Sequence, residues 1–122
     1  LGPVLRRIGE LAEGYGLRVA NVFHAGDGNL HPLILFDANS DDGLARAEAL
    51  GADILRLCVE RGGCLTGEHG VGVGKRDLMG HQFAAADLEA QRRVKDAFDP
   101  DWLLNPAKVF PLAASASRRR AA

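Results

Sequence analysis

The sequence predicts an α+β domain, in which a β-hairpin and amphipathic helices share one core. Three patterns support this: an apolar spacing of helical period near the start, two strand-like runs joined at Asp27-Gly28, and a long apolar stripe after residue 43. Of the 122 residues, 47% are apolar and 25% are charged. This length and composition are typical of one small globular domain with a single core.

A helix and a hairpin come first. Apolar residues recur at helical spacing from Val4 to Tyr15, and glycines at positions 14 and 16 end the run. Residues 17–25 and 29–36 follow as two runs rich in Val, Ile, Leu and Phe. Because Asp-Gly between two such runs is a strong hairpin signal, we expect the runs to pair as antiparallel strands.

A long helix is expected after the polar loop at residues 37–43. Ser40 or Asn39 is expected to cap this helix, which should stop at Gly62-Gly63. Its buried stripe is predicted to comprise Leu44, Ala47, Leu50, Gly51, Ile54, Leu55 and Cys58.

The remaining elements suggest a known arrangement. A short strand is predicted over Cys64–Thr66, and a helical segment from about Asp87 to Phe98, closed by Asp99-Pro100. The order helix, strand, strand, helix, strand is the ferredoxin-like βαββαβ pattern with its first strand missing. Because the chain begins with leucine and not methionine, we expect that first strand in an upstream segment.

Charge and composition exclude some functions. The formal net charge is −1, but three positive charges lie in the tail at residues 118–120; removing these from 15 leaves 12 basic against 16 acidic residues, or −4. A body of that sign is a poor nucleic-acid binder. No apolar run reaches the roughly 20 residues of a membrane span. Cys58 and Cys64 match no metal or redox spacing, which favours a reducing, cytoplasmic location.

The stretch "HAGDGNLHP" at residues 24–32 carries the first chemical signal. In a hairpin turning on residues 27 and 28, His24 is expected to face His31 directly, with Cβ atoms about 4.5–5.5 Å apart. Two imidazoles at that separation can bind one transition-metal ion, and they suit Zn, Fe or Ni better than Ca or Mg. The alternative is that both are ordinary polar residues of a hairpin.

The stretch "GEHG" offers a third ligand, Glu68, at the end of the predicted strand over Cys64–Thr66. In extended backbone neighbouring side chains point to opposite faces, so His69 is expected to point away from Glu68. A nearby cation disfavours the protonated form of an imidazole, so an imidazole in that position can act as a general base. The glycines at 67, 70, 72 and 74 match neither a Walker loop nor GxGxxG.

Three motifs together, "HAGDGNLHP", "GEHGVGVGK" and "DPDWLLNPAKVF", resemble the C-terminal domain of FAD-linked oxidases of the vanillyl-alcohol oxidase type. Within that family the chain is most similar to the glycolate oxidase and D-lactate dehydrogenase group. The resemblance covers residues 1–111. It is specific because all three motifs occur in the order that they have in that family.

The resemblance implies an oxidoreductase mechanism. His24, His31 and Glu68 would bind a divalent transition metal (Zn, Fe or Mn). His69 would take the hydroxyl proton of a D-2-hydroxy acid while hydride passes to FAD. Asn105 and Lys108 would contact the flavin, in a segment where alanine replaces the usual glycine at position 107. Leu33 stands where relatives acting on dicarboxylic substrates carry a polar residue, which implies a small monocarboxylate, glycolate or D-lactate.

The resemblance also implies an organisation. Residues 1–84 would form a substrate cap with the metal site, residues 85–111 a C-terminal helix and flavin-contacting segment, and residues 112–122 a disordered tail. An upstream FAD-binding domain is expected, without which the chain would be inactive. Further oxidase subunits, including an iron–sulfur subunit, would be partners and could attach the enzyme to a membrane.

Two other functions fit the residues considered alone. One is a non-catalytic ferredoxin-like assembly module, which would pair through an open sheet edge and would need no metal. The other is a metallohydrolase that uses the two histidines and the glutamate without a flavin. His81, the remaining histidine, is expected on the surface.

Overall fold

The computed structural model describes residues 1–112, and it confirms the α+β class. It comprises two compact units, residues 1–67 and the residues from 68 onward. The elements are α1 (Gly2–Gly14), β1 (Arg18–His24), β2 (Asn29–Leu35), α2 (Gly43–Glu60), a 3-10 turn (Arg76–Leu78), α3 (Met79–Gln82) and α4 (Ala85–Phe98). Apart from residue 112, the predicted disordered tail lies outside the described residues.

The first unit packs two helices against one face of an antiparallel hairpin. Ile8 of α1 and Leu50 of α2 are fully buried at the centre of this core. Val19 of β1 and Ile34 of β2 are paired directly and pack on the same cluster. Cys58 also packs against it, as the helical spacing predicted. Because side chains alternate along a strand, the other face of the hairpin points away from the helices.

A polar contact joins the end of α1 to α2. The Tyr15 hydroxyl donates to Asp53 Oδ2 at 2.6 Å, and Arg56 donates to Asp53 Oδ1 at 2.6 Å. The hydrogen bond from Tyr15 lowers the pKa of Asp53 against the opposing effect of burial, and the same bond raises the pKa of Tyr15. The contact therefore favours the ionised carboxylate at neutral pH.

The predicted cap of α2 is wrong. The helix starts after Asp42 without a side-chain cap. The Ser40 hydroxyl donates to the Asp37 carbonyl at 3.0 Å, and the backbone N–H of Asn39 donates to the Asp37 carboxylate. The Ser40 hydroxyl is thus engaged in a local turn at Asp37, the kind of contact that competes with capping, and Asn39 takes part in the same turn through its backbone. Leu44, placed in the buried stripe, is 57% exposed.

The third strand predicted over Cys64–Thr66 is also wrong. In the described residues the sheet has two strands, and residues 64–66 are not in a ladder. The Cys64 thiol lies 3.0 Å from the Thr66 carbonyl, so the chain bends on itself here. Leu65 is 1% exposed, which shows that its apolar character indicated burial and not strand pairing. The ferredoxin-like arrangement is therefore not confirmed.

The second unit is built around α4. This helix starts two residues before the predicted position, where the Asp87 carboxylate accepts the backbone N–H of Ala84 at 3.2 Å. Beyond the helix, Phe110 is buried under the Arg92 guanidinium, 5.4 Å from its ring centroid. Among the described residues no helix combines the length and apolar character that crossing a membrane requires.

Leu50 tests the core of the first unit. Replacement of this fully buried side chain by alanine (Leu50→Ala) should lower the free energy of unfolding by about 2–5 kcal/mol, because it removes apolar contacts and leaves a cavity. Leu44→Ala, on the same helix but 57% exposed, should change it by less than about 0.5 kcal/mol. Urea unfolding followed by circular dichroism measures both, and equal losses would contradict this core assignment.

Candidate metal centre

His24 and His31 lie on the same face of the hairpin, but they are not directly opposed. His31 pairs with Val22, and His24 pairs with Asn29. The expected direct pairing is wrong because the turn spans residues 25–28, with the Asp27 N–H donating to the His24 carbonyl at 3.1 Å. This displaces the register by two residues, and a displacement of two leaves every side chain on its original face.

The two imidazoles meet across the diagonal of this register. Their ring centroids are 5.3 Å apart and their planes are nearly perpendicular, at 86°. Diagonal neighbours have backbones farther apart than directly opposed residues, but long side chains cover that distance. On the same face, Val22 and Leu33 are 55% and 51% exposed, so the histidines lie beside an apolar surface.

Glu68 completes a set of three metal-binding side chains. One ligand atom from each of His24, His31 and Glu68 lies within 4.8 Å of the other two. A divalent cation bonded to nitrogen and oxygen at about 2.0–2.2 Å keeps its ligand atoms within about 4.4 Å of one another. Small side-chain rotations therefore suffice for all three to reach one cation. Two imidazoles and a carboxylate leave coordination positions open for substrate.

Gly67 and Asn29 lie in close contact beside this set, a feature that motif reasoning missed. A Cβ atom placed on Gly67 would lie 2.8 Å from Asn29 Cγ and nearer still to Oδ1. Asn29 is directly opposite His24. The glycine before Glu68 was the available signal, since a glycine often marks a close approach of the backbone.

His69 lies beside Glu68, and not on the opposite face. Its Nε2 atom is 3.4 Å from Glu68 Oε1, and its side chain is 73% exposed. The expected divergence is wrong because residues 67–69 form bends and not a strand, and Gly70 after them has a φ of 78°. The imidazole of His69 is thus exposed to solvent beside the Glu68 carboxylate. His81 is exposed on α3, as expected.

Asn105 and Lys108 lie together after α4. The Lys108 ammonium donates to Asn105 Oδ1 at 3.2 Å, and both residues are exposed. Ala107 has a φ of 59°, in the left-handed region that favours glycine. The alanine thus adopts a backbone conformation typical of glycine.

Asp99 organises the start of this segment. It is 6% exposed, and its carboxylate accepts the backbone N–H groups of Leu103 and Leu104, each at 3.0 Å. Lys95 also donates to it, and also to the Leu104 carbonyl at 2.7 Å. The Lys95 hydrogen bond is the main cause that lowers the pKa of Asp99; the two N–H groups assist and burial opposes.

The chain belongs to the family of FAD linked oxidases, whose C-terminal domain matches residues 1–109. This confirms the resemblance carried by the three motifs. Over 111 residues the chain is 58% identical to the glycolate oxidase subunit GlcD of Escherichia coli (strain K12), covering 91% of this chain and 22% of that protein.

Two relatives of lower identity match nearly the same length of this chain. The glycolate oxidase subunit GlcD of Bacillus subtilis is 37% identical over 110 residues, 90% of this chain and 23% of that protein. The mitochondrial D-lactate dehydrogenase [cytochrome] of Arabidopsis thaliana is 32% identical over 111 residues, 91% of this chain and 20% of that protein. The chain therefore spans about a fifth of the length of these relatives.

Asp99 makes stability depend on pH. Its pKa is lower in the folded state than the roughly 3.9 of an unfolded aspartate, so its contribution is complete above about pH 4 and is lost as the pH falls through the folded pKa. The difference in unfolding free energy between wild type and Asp99→Asn should thus be largest near pH 7 and shrink on acidification. Denaturant titrations between pH 7 and 2.5 measure it. Asp101→Asn, at an exposed carboxylate, is the control, and a gap independent of pH would refute the assignment.

Proposed function

We propose that this chain supplies the substrate-side part of an FAD-dependent enzyme that oxidises a small D-2-hydroxy acid to the 2-oxo acid. The observation that carries the proposal is the convergence of His24, His31 and Glu68 within 4.8 Å, with His69 next to the carboxylate. Membership of the FAD linked oxidase family supports it, as do relatives named glycolate oxidase and D-lactate dehydrogenase.

The two histidines and the glutamate would hold a divalent transition metal, of which Zn, Fe and Mn suit this donor set. A bound cation polarises the hydroxyl and carboxylate oxygens of the substrate, which acidifies the hydroxyl group. The three side chains come from both arms of a hairpin and from the segment after Gly67, so the fold presents them from different directions. The exposed fraction of His24 and Glu68 leaves access for a substrate.

His69 would remove the hydroxyl proton. Its imidazole would accept that proton while the α-carbon loses a hydride, so the alcohol carbon is oxidised by two electrons to a carbonyl group. Bound FAD would supply the acceptor for this hydride, which carries both electrons. The exposed position of His69 beside Glu68 suits a general base that must reach a small molecule.

The substrate would be a small monocarboxylate, glycolate or D-lactate. Leu33 follows His31 by two residues and so lies on the same face of β2, where it is 51% exposed. This apolar side chain offers no partner to a second carboxylate, and Val22 beside it offers none either. The second carboxylate of a dicarboxylic substrate would lose hydration there without compensation.

Asn105 and Lys108 would contact the flavin, and the remaining FAD contacts would come from an FAD-binding domain outside this chain. The matched 110 or 111 residues make up only 20–23% of these relatives, which supports such a domain. We also propose the division into a cap (1–84) and a flavin-contacting segment (85–111). We further propose that the enzyme is cytoplasmic and associates with other oxidase subunits. One of these would be an iron–sulfur subunit that attaches the enzyme to a membrane.

His24→Ala tests the metal site. The 122-residue chain, titrated with Zn²⁺ in a calorimeter, should bind one equivalent, and His24→Ala should weaken the affinity at least about 10-fold because a direct ligand is lost. His81→Ala, which removes an exposed histidine outside the set, should bind like wild type. Equal affinities in wild type and His24→Ala would count against the site.

His69→Ala tests the base. In a chimera that carries residues 1–111 of this chain in place of the matched region of the Escherichia coli GlcD subunit, glycolate or D-lactate should bleach the flavin absorbance. His69→Ala should slow bleaching by about 10²–10⁴-fold with the FAD content unchanged, and His81→Ala should leave the rate unaltered. Unchanged bleaching in His69→Ala would refute the role of His69. Zinc-dependent ester hydrolysis by the chain without flavin, and no bleaching by the chimera, would favour a hydrolase.

A further inference from the structure

We infer that Gly67 is a positioning residue for Glu68: the lack of a side chain at position 67, against the amide of Asn29, allows the carboxylate to reach the histidine pair. The inference rests on the proposed metal-binding function. It concerns His24, Asn29, His31 and Gly67 of the first unit, together with Glu68, which follows Gly67 in the chain.

The contact between Gly67 and Asn29 leaves no room for a methyl group. A Cβ atom on Gly67 would lie 2.8 Å from Asn29 Cγ and 3.2 Å from Nδ2, with Oδ1 closer than either. Rotation of the amide about its own axis would move Oδ1 and Nδ2 but would leave Cγ in place. Relief therefore requires Asn29 to change χ1 or the backbone at residue 67 to retreat.

Both movements take place beside the candidate centre. Asn29 is directly opposite His24 and precedes His31 by two residues, so its side chain shares their face of the hairpin. To restore an ordinary contact of 3.4 Å from 2.8 Å, the chain at residue 67 would have to move by 0.6 Å. Metal–ligand bonds tolerate about 0.2 Å. A retreat of that size, passed to the adjacent Glu68, would have to be recovered by further rotation of the Glu68 side chain, in addition to the rotations that the three ligand atoms already need to reach one cation.

The backbone conformation does not explain the glycine. Gly70 and Gly72 have φ values of 78° and 54°, in the left-handed region, whereas Gly67 is outside it. No left-handed φ therefore demands glycine at residue 67. The requirement for glycine at this position therefore comes from the neighbouring amide, and removing the amide should remove the requirement.

A double-mutant cycle in the 122-residue chain, with Zn²⁺ as the calorimetric probe, tests the inference. Gly67→Ala should raise the dissociation constant about 10–100-fold, the usual range for residues that hold a metal ligand in place. Asn29→Ala should bind within about threefold of wild type, and the double variant Gly67→Ala/Asn29→Ala should recover to the same level, because the amide is gone. Gly74→Ala, with open space around its Cβ position, is the matched glycine control.

Each outcome decides a separate question. If wild type binds no Zn²⁺, the proposed function fails; if wild type binds and Gly67→Ala binds equally well, only the positioning role fails. A double variant that is folded by circular dichroism yet as weak as Gly67→Ala would also overturn that role. Should Gly67→Ala not fold, restored folding and binding in the double variant would support the inference, and a double variant that does not bind would refute it.

Discussion

The packing of one face of the hairpin against α1 and α2 is the constraint on which the candidate centre depends. Val19 and Ile34 pair directly and contact the core formed by both helices. Since strand side chains alternate, burial of this face directs His24 and His31 to the other one. A shift of two residues in register then leaves both histidines on that face, which is why the altered register preserved their approach. Side chains on one face of a strand are separated by an even number of residues, so any even shift in register leaves them on that face.

The predictable part of the molecule is the part governed by periodicity. Helical spacing located α1, α2 and α4, and the Asp-Gly signal located the hairpin, because each pattern is read within a single element. The strand over Cys64–Thr66 failed because burial of Leu65 and strand pairing leave the same apolar signature in a short run. The predicted cap of α2 was wrong because the Ser40 hydroxyl has a competing partner in the Asp37 carbonyl and because the helix begins only after Asp42, beyond Asn39 and Ser40.

The sequence was sufficient to predict which residues form the candidate centre, but not how their side chains are arranged. Residue types and motif order indicated the two histidines, Glu68 and His69. The proximity of His69 to Glu68 depends on bends in a glycine-rich segment, whose φ angles no local pattern specifies. The contact of Gly67 with Asn29 joins residues 38 positions apart in the sequence, so it becomes visible only once the chain is folded.

The segment from Asp99 to Phe110 holds its shape against local preference. Trp102, Asn105, Ala107 and Val109 all have left-handed φ angles, which side chains other than glycine and asparagine seldom adopt. Hydrogen bonds hold this conformation: the Leu103 and Leu104 N–H groups donate to Asp99 at the start of the segment, and the Val109 N–H donates to the Gly72 carbonyl outside it. A peptide with the sequence of this segment would therefore adopt other conformations. The surface that Asn105 presents depends on the folding of the whole unit, so such a peptide would not reproduce it.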